Sequence, residues 1–232
     1  MSLTTLNWNI RRAGKDSHVW NIIDHYNPDI ITLQEVSRIP DFIIEKYSVI
    51  ERKATKKNGI NQKFSTAILS KGEIFDKSLN SDIQWINNQL DFFNGNLIYS
   101  SIKINNRPKI NVISVYSPAW PIDKRKLEGI DISRIKLNQN PDVWCTEILW
   151  AALKYEDSIA KNEPWIISGD FNSSVTFDYM WSGGPSGNQE IIDRMNSLGL
   201  TECLANFNGK LIPTFKNKIG GKIIHQLDHI YV

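Results

Sequence analysis

The sequence predicts one α/β domain, residues 1–232, built on mixed β-sheets. Three observations lead there. Short runs rich in Ile, Val, Leu and aromatic residues, most of them bounded by turn residues, outnumber the helical segments. The first three segments alternate strand, helix, strand, an order that sets two neighbouring strands under one outer helix. Residues 46–117 are nearly all strand and loop, as in antiparallel meanders.

Taken in order, Leu3–Ile10 reads as the first strand. Within "LNWNI", the period of two puts Leu6, Trp8 and Ile10 on one face and Asn7 and Asn9 on the other. Ser17–Tyr26 reads as a helix capped by Asp16 or Ser17. Ile30–Gln34 is an apolar strand running into Glu35. Ser65–Leu69, Leu97–Ile104 and Ile110–Tyr116 supply the middle strands, and Pro118 breaks the last of them. Residues 118–141 form a long excursion with scattered charge, the kind of loop that often carries function. The longest helix is expected over Asp142–Lys161, from apolar positions at Val143, Ile148, Leu149, Ala152, Leu153 and Ile159. Trp165–Ser168 is a buried strand that enters "GDFN". Asn188–Ser197 is a helix with Gly199 as its stop. Ile223–Val232 reads as one regular strand.

Composition bounds the function classes. Hydrophobic residues make up 41% and charged residues 22% of 232, enough to bury a core without staples. A net charge of +2 argues against a strongly electrostatic nucleic-acid binder, though an enzyme that grips nucleic acid locally remains open. Cys145 and Cys203 are too few for a disulfide framework and read as buried free thiols in a reducing compartment. No apolar run approaches the ~20 residues of a membrane span. "MSLTTLNWNI" lacks the pattern of a signal peptide, so a cytoplasmic protein is the expectation. The working expectation for the oligomeric state is a monomer.

Four stretches put polar residues at strand ends, where sites in α/β proteins form. They are Asn9 in "NWNI", Glu35 in "LQE", Tyr116 in "VYSP", and Asp170 with Asn172 in "GDFN". In the last, a glycine that lets the chain turn sharply would aim Asp170 and Asn172 the same way. Asp228 in "QLDHIYV" adds an acid set between apolar neighbours.

Together and in this order, these residues resemble the endonuclease/exonuclease/phosphatase superfamily of metal-dependent phosphoesterases, the exonuclease III-like and DNase I-like group. The resemblance spans nearly the whole chain. It implies a four-layer α/β/β/α sandwich: two mixed sheets face to face, helices outside, and the site at one end between the sheets. It also implies Mg²⁺ or Mn²⁺, hard cations that suit carboxylate oxygens and neutralise a phosphate. In that scheme Glu35 is a direct metal ligand, and Asn9 joins the metal shell or orients Glu35. Asp170 positions or deprotonates the attacking water. Asn172 and Tyr116 donate hydrogen bonds to the phosphate or leaving group.

The same resemblance implies an Asp-His stretch after "LDHIYV", whose histidine meets the phosphate and is oriented by Asp228. The expectation is therefore a domain without its C-terminal strand and Asp-His motif, its last strand left at a sheet edge. No histidine present is expected to substitute. His18 and His25 lie on the first helix, and His225 and His229 have the opposite parity to Asp228 on a regular strand.

The substrate expected is a phosphate ester, with DNA or RNA first. Phe215 stands where the abasic-site enzymes carry a "WW-x-Y" stretch, and no Trp pair accompanies it. Trp120 and Arg125 in the excursion, Arg11 after Asn9, and Trp181 in the glycine-rich stretch after "GDFN" are candidate substrate contacts. Three functions follow: a nucleic-acid phosphodiesterase, a phosphatase of phosphoinositides or other small esters, or a truncated member that binds without turnover.

Overall fold

Alternation along the strands sorts this chain into layers. The computed structural model describes residues 2–156, 159, 161–180, 186–216 and 223–232. One mixed sheet holds β1 (Thr5–Asn9), β2 (Ile30–Val36), β3 (Ser48–Thr55) and β4 (Asn61–Ser70) in the order β1-β2-β4-β3. The second holds β5 (Glu73–Lys77), β6 (Leu97–Lys103), β7 (Ile110–Tyr116), β8 (Trp165–Asp170) and β11 (Asp228–Tyr231) in the order β11-β8-β7-β6-β5. β1 and β2 run parallel, as do β7 and β8, and the other pairs are antiparallel. A short hairpin of β9 (Phe215–Lys216) and β10 (Ile223–His225) stands apart.

Helices α1 (Val19–Tyr26) and α2 (Asp41–Ile44) cover the first sheet. Trp20 and Ile23 of α1 pack on Ile31, Leu33, Ala67 and Leu69, each worth roughly 1.5–3 kcal/mol when fully buried. Helices α3 (Gln84–Phe92), α4 (Cys145–Leu153) and α6 (Asn188–Ser197) cover the second sheet, against Ile113, Val115 and Ile167. The shorter α5 (Val175–Met180) and α7 (Cys203–Asn208) flank the strand ends. This is the α/β/β/α sandwich.

The layer between the sheets changes character along its length. At one end it is apolar, with Ile30, Ile68, Val112 and Ile166 in one cluster. Two residues further along β2, β7 and β8 it is polar: Thr32, Ser114 and Ser168. Thr32 Oγ1 meets Ser168 Oγ at 2.7 Å, and Gln34 Nε2 donates to Ser114 Oγ at 3.2 Å. Two residues further again stand Tyr116 and Asp170, at the mouth of the sandwich.

Several sequence expectations shift. Within the helix expected over Asp142–Lys161, α4 runs from Cys145 to Leu153, and residues 157, 158 and 160 lie outside the described residues. Past the end of α4, the N–H groups of Tyr155 and Glu156 bond three residues back, to Ala152 and Leu153, in a tighter turn. The cap of α1 is His18, one residue past the expected Ser17. The expected strand Ile223–Val232 breaks at Gln226–Leu227, and its two halves join different sheets. β11 stands last in the strand order of its sheet, and Tyr231 also bridges Glu202. β3 and β5 fall inside residues 46–117, expected as strand and loop, although their exposed, charged sequences show little apolar alternation; α3 interrupts that stretch with a helix, and α2, α5 and α7 have no counterpart in the sequence reading. Among the described residues no helix is long and apolar enough to cross a membrane.

Candidate active site

Strands β2, β7 and β8 deliver their last residues to one end of the sandwich. β7 and β8 do so by simple alternation, through Tyr116 and Asp170. β2 does not. Regular alternation would turn Glu35 outward with Leu33 and leave Val36 facing the second sheet. Instead Glu35 takes a left-handed conformation, φ 55°, where the register with β4 shifts. Val36 then joins the outer core and Glu35 faces the cleft.

The cleft has a volume of about 540 Å³. Asn9, Arg11, Glu35, Tyr116, Asp170, Asn172 and Asp228 line it, with Trp8, Ala119, Thr214, Phe215 and Leu227. Asn9 ties two acids together: its Nδ2 donates to Asp170 Oδ2 at 2.9 Å and to Glu35 Oε1 at 3.4 Å. Its Oδ1 accepts from the Arg11 N–H at 3.0 Å. The Asn172 N–H donates to Asp170 Oδ1 at 2.9 Å, and its Nδ2 to the Ser117 carbonyl at 2.6 Å.

Asp228 stands directly across from Asp170 in the β11–β8 ladder. Burial and then the Asp228 charge push the Asp170 carboxyl up to about 7, against the hydrogen bonds from Asn9 and Asn172. Burial also raises Asp228, opposed by its bond to Thr214. Burial, followed by the charges of Glu35 and Asp170, raises the Tyr116 hydroxyl, so it is a neutral donor at physiological pH, and it bonds Glu35. The Tyr116 ring sits edge-on to Phe64 at 5.3 Å.

Backbone strain gathers here. Among the described residues, Arg11, Arg12, Glu35 and Asn172 are four of the seven non-glycine residues with positive φ. Such conformations cost of order 1–3 kcal/mol each and persist where the surroundings over-determine them.

The structure thus brings together Asn9, Glu35, Tyr116, Asp170, Asn172, Asp228 and Arg11. Trp120 and Arg125 do not line this cleft. The Trp120 ring packs beside Phe92 and Phe93, with centroids 6.3 and 5.8 Å away. Arg125 folds back on Asp123 of its own turn. Trp181 lies outside the described residues. Among the described residues no histidine lines the cleft. Trp8 is partly buried against the outer core and also lines the cleft. Thr214 carries no signal in the sequence; Arg12, which with Arg11 follows Asn9 closely, has its Nε 3.7 Å from Glu35 Oε2.

The donor chemistry fits a hard divalent cation. Asp228 Oδ1 is buried with no hydrogen-bond partner, and the charges of Asp228 and Glu35 both bear on the Asp170 carboxylate. Among the described residues no three His, Cys, Asp or Glu side chains form a ready cage. Mg²⁺ needs none, because it takes one or two carboxylates and keeps its waters.

The sequence matches the Endonuclease/Exonuclease/phosphatase family over residues 6–232. The chain belongs to that family. Its members hydrolyse phosphate esters. Solved structures share the family fold at low identity. AP endonuclease LMAP from Leishmania major is 12% identical, with a TM-score of 0.61 over 99% of this chain and 78% of that one. An AP endonuclease from Archaeoglobus fulgidus is 20% identical, with a TM-score of 0.60 over 99% and 85%. The 3′ phosphatase NExo from Neisseria, bound to product DNA hairpin, is 17% identical, with a TM-score of 0.54 over 99% and 85%. No curated protein matches the sequence.

Proposed function

We propose that this member of the family is a divalent-metal-dependent phosphodiesterase acting on nucleic acid. The observation that carries the reading is the convergence of Glu35, Asp170 and Asp228 with the neutral donors Tyr116 and Asn172 in one cleft. Neutral donors suit a site that must receive an anion. The DNA-directed names of the similar structures support nucleic acid as the substrate.

Glu35 would hold the cation, which supplies charge neutralisation at the phosphate and the leaving oxygen. Asn9 keeps Glu35 and Asp170 aimed into the cleft. Asp170 accepts the proton of the attacking water as its oxygen bonds to phosphorus. The leaving oxygen takes the electron pair of the P–O bond that breaks. The second Asn172 amide hydrogen donates to a phosphate oxygen, and the Tyr116 hydroxyl does so by turning its one proton from Glu35 to the phosphate.

The test is hydrolysis of abasic DNA, linear DNA, RNA and 4-nitrophenyl phosphate with Mg²⁺ or Mn²⁺. Glu35→Ala should drop activity to background with the fold intact. Asp170→Asn should lower kcat by about 10²–10⁴-fold, the range for a lost general base. Full activity in Glu35→Ala would remove Glu35 as the ligand. Cleavage of the monoester alone would move the substrate to small phosphate esters.

A further inference from the structure

We propose that His229 is a positioning residue, whose buried imidazole holds the turn that aims Asp170 and Asn172 into the cleft. The proposal rests on reading that cleft as the reactive site. His229 points away from the cleft and is 3% exposed. Its ring nevertheless meets both neighbours of Asn172. Its edge packs on the Phe171 ring with centroids 5.4 Å apart, and its Nε2 faces the Ser173 carbonyl at 3.4 Å. Between those two contacts Asn172 sits left-handed, φ 47°, with its N–H on Asp170.

The surroundings choose the tautomer. Gln226 Oε1 accepts from the Ile212 N–H at 2.7 Å, so the other end of that amide is the donor. Gln226 Nε2 then donates to Glu202 Oε1 at 2.9 Å and faces His229 Nδ1 at 3.2 Å. Glu202 Oε1 also faces Nδ1 but at 3.6 Å, beyond hydrogen-bond reach; with the Gln226 amide donor nearer, the proposal has Nδ1 accept and the ring proton lie on Nε2, directed at Ser173. Glu202 is held in turn by the Ala205 N–H. The result is a relay from α7 through Gln226 and His229 to the reactive turn.

Two variants separate the ring from the proton. His229→Phe keeps the contact with Phe171 and loses the donor. His229→Gln restores an amide N–H near the position of Nε2. On bis(4-nitrophenyl) phosphate with Mn²⁺, His229→Phe should lower kcat roughly tenfold, the scale of one misplaced hydrogen bond, with KM unchanged. His229→Gln should recover most of it. In ¹⁵N spectra of the wild-type protein, His229 should carry its proton on Nε2. The Asn172 amide signal should move in His229→Phe and return in His229→Gln. A proton on Nδ1, an unmoved Asn172 signal, or a kcat loss that only tracks the folded fraction would overturn the proposal. If the wild-type protein hydrolyses no ester, the proposed function fails, while the tautomer and the Asn172 signal still decide this one.

Discussion

At Gly169 the carbonyl oxygen of Val115 lies 1.9 Å from where a Cβ would stand. Gly169 and Val115 are register partners in the parallel β7–β8 pair, so a side chain there would wedge apart the strands that present Tyr116 and Asp170. Gly169→Ala should destabilise the protein by about 1–3 kcal/mol, the cost of overpacking, and urea unfolding would measure it. From sequence alone this glycine reads as the maker of a sharp turn. The structure gives that task to Asn172, a residue type that tolerates positive φ. Asn172→Gly should therefore keep the fold and lose activity, whereas Asn172→Ala should lose both activity and roughly 1 kcal/mol of stability to strain. Equal stability of the two would show that the turn is not strained.

Two buried acids outside the cleft organise whole elements. Glu147 closes the start of α4, where its Oε2 accepts from the Trp144 N–H at 2.5 Å and its Oε1 from the Thr146 hydroxyl. Burial raises its carboxyl to about 7 from 4.5. The folded state thus holds a proton that the unfolded chain releases near 4.5. Stability from this group falls as pH rises from about 4.5 through about 7. Glu147→Gln has no proton to lose, and the Thr146 hydroxyl can turn to accept from the new amide. Its melting temperature should exceed wild type at pH 8 and approach it at pH 5 in calorimetry. Asp178 does similar work at the other end of the site. One of its oxygens accepts from the Ser186 and Asn188 N–H groups and from both their side chains, and the other from the Gln189 N–H. Asn188 then holds Ser173 and Ser174. Asp178→Ala should cost about 1–3 kcal/mol and reduce turnover, because α6 would no longer brace the turn after Asp170; unchanged kcat would separate the two. The helix Asn188–Ser197 and its Gly199 stop were legible from periodicity and from the glycine. The bracing acid was not, since Asp178 is ten residues away from Asn188 and belongs to another helix.

Across the whole molecule, the inter-sheet layer runs from isoleucine and valine to hydroxyls and amides to carboxylates. Thr32 has one hydroxyl proton and spends it on Asn7 Oδ1, so Ser168 donates to Thr32. Thr32→Val leaves the buried Ser168 hydroxyl without its acceptor and removes one of the two donors to Asn7 Oδ1, which keeps Gln34 Nε2, and should cost about 1 kcal/mol or more. Adding Ser168→Ala should cost less than the sum of the single changes; strict additivity in that cycle would show that the bond carries no coupling. This gradient can be read directly in "IITLQE", "NVISVY" and "WIISGD", because the side-chain period of a strand is two and needs no tertiary knowledge. The same period, with the strand–helix–strand opening, determined the α/β class and supplied most of the cleft's residue types. Only the tertiary structure decided which of them meet. Glu35 reaches the cleft by breaking the period at a left-handed residue, and Asp228 meets Asp170 through a ladder between strands 58 positions apart. His229 touches the reactive turn from behind it. Backbone handedness at one residue and pairing between distant strands are set by contacts across the fold, and local patterning does not encode them.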